Sequence, residues 1–332
     1  MWECGNEIPG PVLKEQDGRS LSSLLCRLHH FHIVLISIFP HFLSAQPDTL
    51  LKHVTLDEVV ISAQASGFNV DAFVQQVITD TTFHKAFLNT RYYPHALVSD
   101  LAVRNKRETR SATLHRRGRL VRDGKYAELV IDSTAESGKL RDRKGEFRYL
   151  TAEMYDDVFF PKGRYVADNT VRHRQLDVDR SSRFEKYRSE LKKFMFNPGQ
   201  EIASVPFIGD KLALYDADMA EHYDHRIWAD VRDGVDCWVF SSEVREGHEG
   251  KAVIQEMHTW FAQEGGQVLA REYHILHGSL ILDFDIRIKV RNTLVNGSLV
   301  PLRIDYDGDW DIPFSKRELV RFTLLLSDWV VE

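Results

Sequence analysis

The sequence is poor in cysteine and proline, has no excess of basic charge and contains no long apolar run. Three cysteines and ten prolines in 332 residues exclude a disulfide-rich scaffold and a low-complexity chain. Lys and Arg number 43 against 49 Asp and Glu, which disfavours a nucleic-acid-binding protein because such proteins neutralise phosphates. No apolar run reaches the roughly eighteen residues of a membrane-spanning helix, so we expect a peripheral association with a membrane at most.

Catalytic motifs are missing as well. The sequence has no nucleophile elbow, phosphate-binding loop or dinucleotide fingerprint. The best metal candidate, His222–His225, would place its two imidazoles on opposite faces of a strand. A calcium site at Asp305–Asp311 fails the EF-hand spacing, and a turn between two strands is favoured there. We therefore predict no catalytic residue, metal or cofactor. A hydrolase with a dispersed site at His222, Asp224 and His258 is a less favoured alternative.

The first feature present is an export signal. Phe31–Leu43 is a short apolar stretch that follows Arg19 and Arg27 and precedes Ser44-Ala45-Gln46, which is the layout of a secretory signal. We predict cleavage after Ala45, with a buried helix as the alternative, and a periplasmic location with outer-membrane association as one option. Residues 1–20 are more acidic than a signal sequence should be, which suggests a true start further along the chain.

Hydrophobic spacing predicts two helices and a long series of strands. A spacing of three and four residues predicts helices over Val70–Leu88 and Ser182–Phe196. Alternation of apolar and polar residues predicts antiparallel strands at His95–Arg104, Ser111–Val121, Lys125–Ser133, Ile227–Val231, Asp236–Val244, Ala252–Ala262, Gln267–Leu276, Asp283–Arg291, Leu299–Tyr306 and Phe322–Val331. The fold class is therefore mainly β (α+β). The predicted organisation is a signal region at 1–45, an extended segment at 46–69 and one β-rich domain at 70–332 with a helical insertion near 181–196.

Two surfaces of this sheet are candidate binding sites. The apolar face would be formed by Trp260, Phe284, Ile286, Ile288, Val290, Leu302 and Ile304. These residues would either bind a hydrophobic ligand or fill a core. A basic patch for anionic head groups or an acidic partner would be formed by Arg104, Arg107, Arg110, Arg116, Arg117, Arg119 and Arg122. Its alternative is the solvated face of two strands.

Several short stretches resemble known families. Leu56–Ala63 (LDEVVISA) reads as an extended, β-branched segment. It resembles the segment that closes carboxypeptidase-regulatory-like modules before the plug of TonB-dependent receptors. Asp80–Phe87 and Tyr306–Phe314 resemble uncharacterised exported proteins of gram-negative bacteria. The succession of helix, strands and long antiparallel strands resembles the outer-membrane lipoprotein carrier class (LolA-like). The best local match is the strand–turn–strand Ile286–Tyr306, which ends in the motif Pro301–Tyr306.

The LolA-like resemblance implies a strongly curved antiparallel sheet that forms an unclosed barrel, covered by one or two helices. It also implies an exported, non-enzymatic envelope protein that binds a lipid, a lipoprotein or another hydrophobic component in the concave face. The alternative is an accessory or scaffold subunit whose partner is an outer-membrane protein. An outer-membrane barrel is a structural rival, and no nucleic-acid partner is expected.

Overall fold

The computed structural model describes residues 50–105, 107, 109–171, 198–199, 210–279, 283–311 and 317–331. All of these residues belong to the unit Leu43–Glu332. The predicted signal region and the predicted insertion helix near 181–196 lie outside the described residues, so both remain predictions.

Twelve strands form one sheet in the described part of the chain. In chain order they are β1 Val54–Leu56, β2 His95–Arg104, β3 Arg110–Asp123, β4 Tyr126–Gly138, β5 Arg164–Val166, β6 Tyr223–Arg232, β7 Val235–Val244, β8 Ile254–Ala262, β9 Val268–Gly278, β10 Asp283–Val295, β11 Ser298–Asp311 and β12 Glu318–Ser327. Their spatial order is β1-β6-β7-β8-β9-β10-β11-β12-β2-β3-β4-β5. The short strands β1 and β5 are therefore the edges of an unclosed sheet, and the predicted mainly β fold class is confirmed.

Tight turns fix the register of the hairpins. The β6–β7 turn is Asp233-Gly234 and the β10–β11 turn is Asn296-Gly297, and all four residues have φ between 48 and 81°. This two-residue turn has the twist that paired antiparallel strands require. β1 pairs with β6 in parallel, so the sheet is mixed rather than wholly antiparallel.

Five α-helices lie among the described residues. They are α1 Glu58–Ala65, α2 Val70–Thr79, α3 Thr82–Asn89, α4 Leu150–Phe159 and α5 Ala217–Ala220. Side chains from the residues just before them cap three of their starts. Asp57 Oδ1 accepts from the Glu58 amide at 2.6 Å, Asn69 Oδ1 accepts from the Ala72 amide at 2.9 Å, and Asp80 accepts from the Thr82 amide at 2.9 Å. Such caps satisfy amides that have no partner in the first turn of a helix.

Two predictions for the N-terminal part of the described chain differ from the structure. Leu56–Ala63 is predicted to be extended, but most of it forms α1, with Asp57 as the N-cap. The β-branched residues favour a strand only weakly, and α1 buries Val60 completely. The single helix predicted over Val70–Leu88 is two helices, because Asp80 caps α3 and so separates it from α2.

Helices α2, α3 and α4 pack against one face of the sheet, which we call the covered face; the opposite face is the outer face. Alternate strand residues point to the covered face and are buried there, such as Phe322 of β12. From the helices, Phe73 packs on Phe261 with ring centroids 5.3 Å apart, and Tyr155 stacks on Phe322 at 4.4 Å. The core therefore lies between the sheet and these helices.

Asp305–Asp311 is part of strand β11 and not the predicted turn. Its carboxylates pair with basic side chains on the outer face, as Asp307 does with Arg321 at 2.8 Å. Gly308 faces the covered side, where the Tyr306 side chain lies over it, and a Cβ on Gly308 would be 2.2 Å from the Tyr306 hydroxyl. This glycine therefore marks a close approach inside a strand rather than a turn.

Candidate functional site

The predicted apolar site lies mostly on the covered face. Five of its seven residues are at most 4% exposed and belong to the core: Phe284, Ile286, Ile288, Val290 and Ile304. All five are buried, so a ligand reaches them only where part of the covering structure moves aside. Their role in ligand binding remains a prediction.

Trp260 and Leu302 do not belong to this core. Trp260 lies on the outer face, where its indole Nε1 donates to Asp230 at 2.8 Å and the Arg232 guanidinium is 4.1 Å from its ring. Its neighbour Phe261 points to the covered face. Because β8 has apolar residues on both faces, its sequence does not show which of them face the core. Leu302 sits at a bulge that the β10–β11 register skips.

The start of α4 is held by a carboxylate from the sheet. Glu318 of β12 is 4% exposed, and its Oε1 accepts from the Leu150 amide at 2.9 Å. Its Oε2 accepts from the Thr151 amide at 3.0 Å and from the Thr151 hydroxyl at 2.7 Å. Because Tyr149 at the N-cap position makes no side-chain cap, Glu318 supplies that cap and complements the positive end of the helix.

The last turns of α4 are held by a buried ion pair. Arg116 of β3 is 8% exposed, and its Nη1 lies 2.5 Å from Asp156 Oδ1. The Arg116 guanidinium also lies 4.6 Å from the centre of the Phe160 ring. Lys162, whose side chain is mostly exposed, approaches the other carboxylate oxygen of Asp156 at 3.4 Å. The sequence pattern predicts Arg116 only as part of the basic patch.

A second buried arginine lies under the junction of α2 and α3. Arg271 of β9 is 4% exposed, and its Nη2 is 3.6 Å from Asp80 Oδ2. Its Nε donates to Thr259 Oγ1 at 3.1 Å, and its guanidinium lies 4.3 Å from the Phe83 ring. Each of these two arginines thus joins the apolar sheet to an aspartate of the helices.

The seven arginines predicted as one basic patch do not share one surface. Arg116 points to the covered face, whereas Arg117 and Arg119 are exposed on the other side of β3. Arg119 pairs with Asp132, and the Arg122 guanidinium lies 4.0 Å from the Tyr92 ring. The others lie near the β2–β3 turn: Arg104, Arg107 and Arg110. An anion-binding role for the arginines other than Arg116 remains a prediction.

The histidines of the alternative hydrolase site have separate partners. His222 Nδ1 is 3.2 Å from His248 Nδ1, Asp224 pairs with Arg245 at 2.8 Å, and His258 stands 6.0 Å from the ring of Trp228 on the outer face. Within the described residues, no group of three or more His, Cys, Asp or Glu side chains could hold a metal ion.

His225 forms a Ser–His pair that is closed to solvent. Its Nδ1 lies 2.9 Å from Ser242 Oγ, and both residues are 0% exposed. Burial, reinforced by the neighbouring His53 and Arg245, lowers the pKa of His225 to about 3. An imidazole with this pKa is a poor base and has no access to a substrate, so the pair serves the core rather than catalysis.

The low pKa of His225 makes stability fall in acid. The unfolded imidazole takes a proton near pH 6.5 and the folded one only near pH 3, so protonation favours the unfolded chain over that window. Between pH 7 and pH 4.5, wild-type protein should lose on the order of 2 kcal/mol more unfolding free energy than His225→Asn. Urea denaturation at the two pH values measures this difference, and equal losses would contradict the assignment.

A groove of about 540 Å³ opens beside the start of α2. Apolar rings from Phe68, Phe73 and Trp238 line it together with amide side chains such as Gln76. Gln76 Nε2 donates to the Gly266 carbonyl at 2.6 Å at this end of the sheet. Because Phe73 also packs on Phe261, the groove touches the core of the covered face. The helices in the described part of the chain are too short or too polar to span a bilayer.

Comparison with solved structures finds weak similarities. A putative outer-membrane lipoprotein-sorting protein domain from Vibrio parahaemolyticus is 10% identical, with a TM-score of 0.26 over 75% of this chain and 92% of that chain. A LolA superfamily protein from Nitrosomonas europaea is 11% identical, with a TM-score of 0.25 over 76% and 92%. A DUF1329 family protein from Desulfovibrio piger is 12% identical, with a TM-score of 0.23 over 76% and 94%. No protein-family model matches the chain, and no curated protein matches it.

Proposed function

We propose that this chain is an exported envelope protein that binds a lipid, or the lipid part of a lipoprotein, between the covered face and helix α4, without catalysis. The observation that carries the proposal is a continuous apolar sheet face covered by short separate helices, of which α4 is joined to the sheet by the Glu318 cap and the Arg116–Asp156 pair. A helix attached in this way can move as a unit without disrupting the strand pairing.

The free energy that α4 contributes by burying its apolar side chains is similar in size to the free energy that an acyl chain gains on burial. Helix α4 buries Met154, Tyr155, Val158 and Phe159, and each such side chain contributes about 2 kcal/mol when buried. A chain of about fourteen CH₂ groups gains about 0.8 kcal/mol per group on leaving water, or on the order of 10 kcal/mol in total. An acyl chain can therefore replace the apolar contacts of α4 on the covered face, and binding needs no bond-making step.

Tryptophan quenching by a brominated lipid tests where the ligand lies. Bromine quenches an indole only at near contact, Trp310 lies in the covered-face core, and Trp228 lies on the outer face by Trp260. We expect dibrominated stearic acid to quench the wild-type protein, Trp310→Phe to remove much of that quenching, and Trp228→Phe to keep it. Unbrominated stearic acid is the control. Quenching that is absent, or that follows Trp228, would overturn the proposal.

The alternative function, an accessory subunit of an outer-membrane assembly, has one supporting feature. Val59 and Ile61 of α1 are each 54% exposed, as a contact with a partner protein would require. Crosslinking in cells separates the two functions. A carrier should trap lipid or many lipoproteins, whereas an accessory subunit should trap one stable protein partner, and that second result would replace the proposal.

A further inference from the structure

The Arg116 site contains more hydrogen-bonding capacity than the closed structure uses. Ser99 of β2 lies directly opposite Arg116 in the β2–β3 register and is 1% exposed. Its hydroxyl is buried and has no hydrogen-bond partner among the described residues. A buried hydroxyl without a hydrogen-bond partner is unfavourable. Because the Ser99 hydroxyl lies beside the buried Arg116 cation, this site can hold a second anion, or an anion larger than the Asp156 carboxylate.

Moving α4 away from the sheet creates an electrostatic problem. Asp156 moves with the helix, and in the described part of the chain it is the one carboxylate that pairs with Arg116. A cation left without an anionic partner on the apolar covered face is strongly unfavourable. Arg271 is in a different position, because Thr259 of the neighbouring strand remains its partner. Helix α4 can therefore leave the sheet readily only if another anion reaches Arg116.

We infer that the ligand is an amphiphile with an anionic head group, and that this head replaces Asp156 at Arg116 and Ser99 while the acyl chain replaces α4 on the covered face. Asp156 thus occupies the head-group position in the ligand-free protein. The exposed amine of Lys162, 3.4 Å from Asp156, stands where the head group would enter. This inference rests on the proposed function and specifies its ligand class, a carboxylate or phosphate attached to an acyl chain.

A matched pair of ligands tests the head group. Dibrominated stearic acid and its methyl ester share the chain and the tryptophan-quenching readout, and only the acid is charged at neutral pH. We expect the wild-type protein to bind the acid at least tenfold more tightly, since a charge-assisted hydrogen bond is lost with the ester. Dibrominated phosphatidic acid should behave like the fatty acid, which covers the phosphate source.

Neutralising the pair should remove the preference for the acid. Arg116→Gln combined with Asp156→Asn leaves no charge at this pair, and its ratio of acid to ester affinity should fall to about one. The matched control neutralises an exposed pair on the outer face, Arg321→Gln with Asp307→Asn, and should keep the wild-type ratio. If the first double variant does not fold, Ser99→Ala gives the second test: severalfold weaker acid binding with unchanged ester binding.

The outcomes separate the two proposals. Equal binding of acid and ester by the wild-type protein, with quenching at Trp310, would overturn the head-group inference and leave the proposed function standing. No quenching by either ligand would overturn the proposed function and the inference together. Competition by inorganic phosphate as strong as that by the acyl phosphate would show a site for free anions and would also overturn the inference.

Discussion

Arg116→Ala and Asp156→Ala are each expected to lower the free energy of unfolding by about 3–5 kcal/mol, because each leaves the opposite charge buried and unpaired. Both side chains are about nine-tenths buried, and the two atoms in contact are 2.5 Å apart. The loss should appear as a lower denaturation midpoint in urea, with a slope close to that of the wild-type protein.

The double replacement shows whether the pair or the packing is responsible. Arg116→Met combined with Asp156→Leu should stay within about 2 kcal/mol of wild type, since apolar side chains of similar volume can replace a buried pair. The exposed pair Arg119–Asp132 is the control, and its coupling energy should be below about 1 kcal/mol. Equal coupling energies for the two pairs would refute the role of the Arg116–Asp156 pair in holding α4 to the sheet.

Glu318→Ala is expected to cost about 3 kcal/mol, because it removes one buried carboxylate that accepts three hydrogen bonds at the start of α4. The amides of Leu150 and Thr151 would lose their acceptor inside the protein. Glu318→Gln keeps a single acceptor oxygen of the same shape and should lose about half as much. Denaturation in urea measures both variants.

The part of the protein that Glu318→Ala loosens is as informative as the size of the stability loss. Amide hydrogen exchange should rise in α4, Leu150–Phe159, well before it rises in strands such as β10. The same loosening should speed the uptake of dibrominated stearic acid in the quenching assay. A uniform rise in exchange over the whole sheet, or a stability loss below about 1 kcal/mol, would contradict the role of Glu318 as the attachment of α4.

The strand series was predictable from the sequence because its physical signal is local. Alternation of Phe284, Ile286, Ile288 and Val290 with charged residues defines β10, and the structure buries all four. The turn Asn296-Gly297 was also readable, since positive φ favours these residue types. The turn predicted at Asp123-Gly124 lies one residue further along, at Gly124-Lys125, because Asp123 still pairs with Tyr126. The strand order was not predictable, since β12 pairs with β2 across more than two hundred residues of chain.

The attachments of α4 were missed because they combine distant residues. Arg116 occupies an inward position between Leu114 and Gly118, and Glu318 an inward position before Val320 and Phe322. Both could have been identified as charged residues at positions of a strand where the alternation predicts an apolar, inward-facing side chain. Such a residue needs a buried partner. The partners themselves, 40 and 167–168 residues away along the chain, appear only in the fold.

The most direct measurement is a crystal structure of the full chain with dibrominated stearic acid, in which anomalous scattering locates the bromine atoms. We expect bromine peaks on the covered face near Tyr155 and Phe322, the carboxylate at Arg116, and α4 displaced from the sheet. Bromine confined to the outer face, or absent while α4 keeps its contacts with Glu318 and Arg116, would contradict ligand binding under this helix.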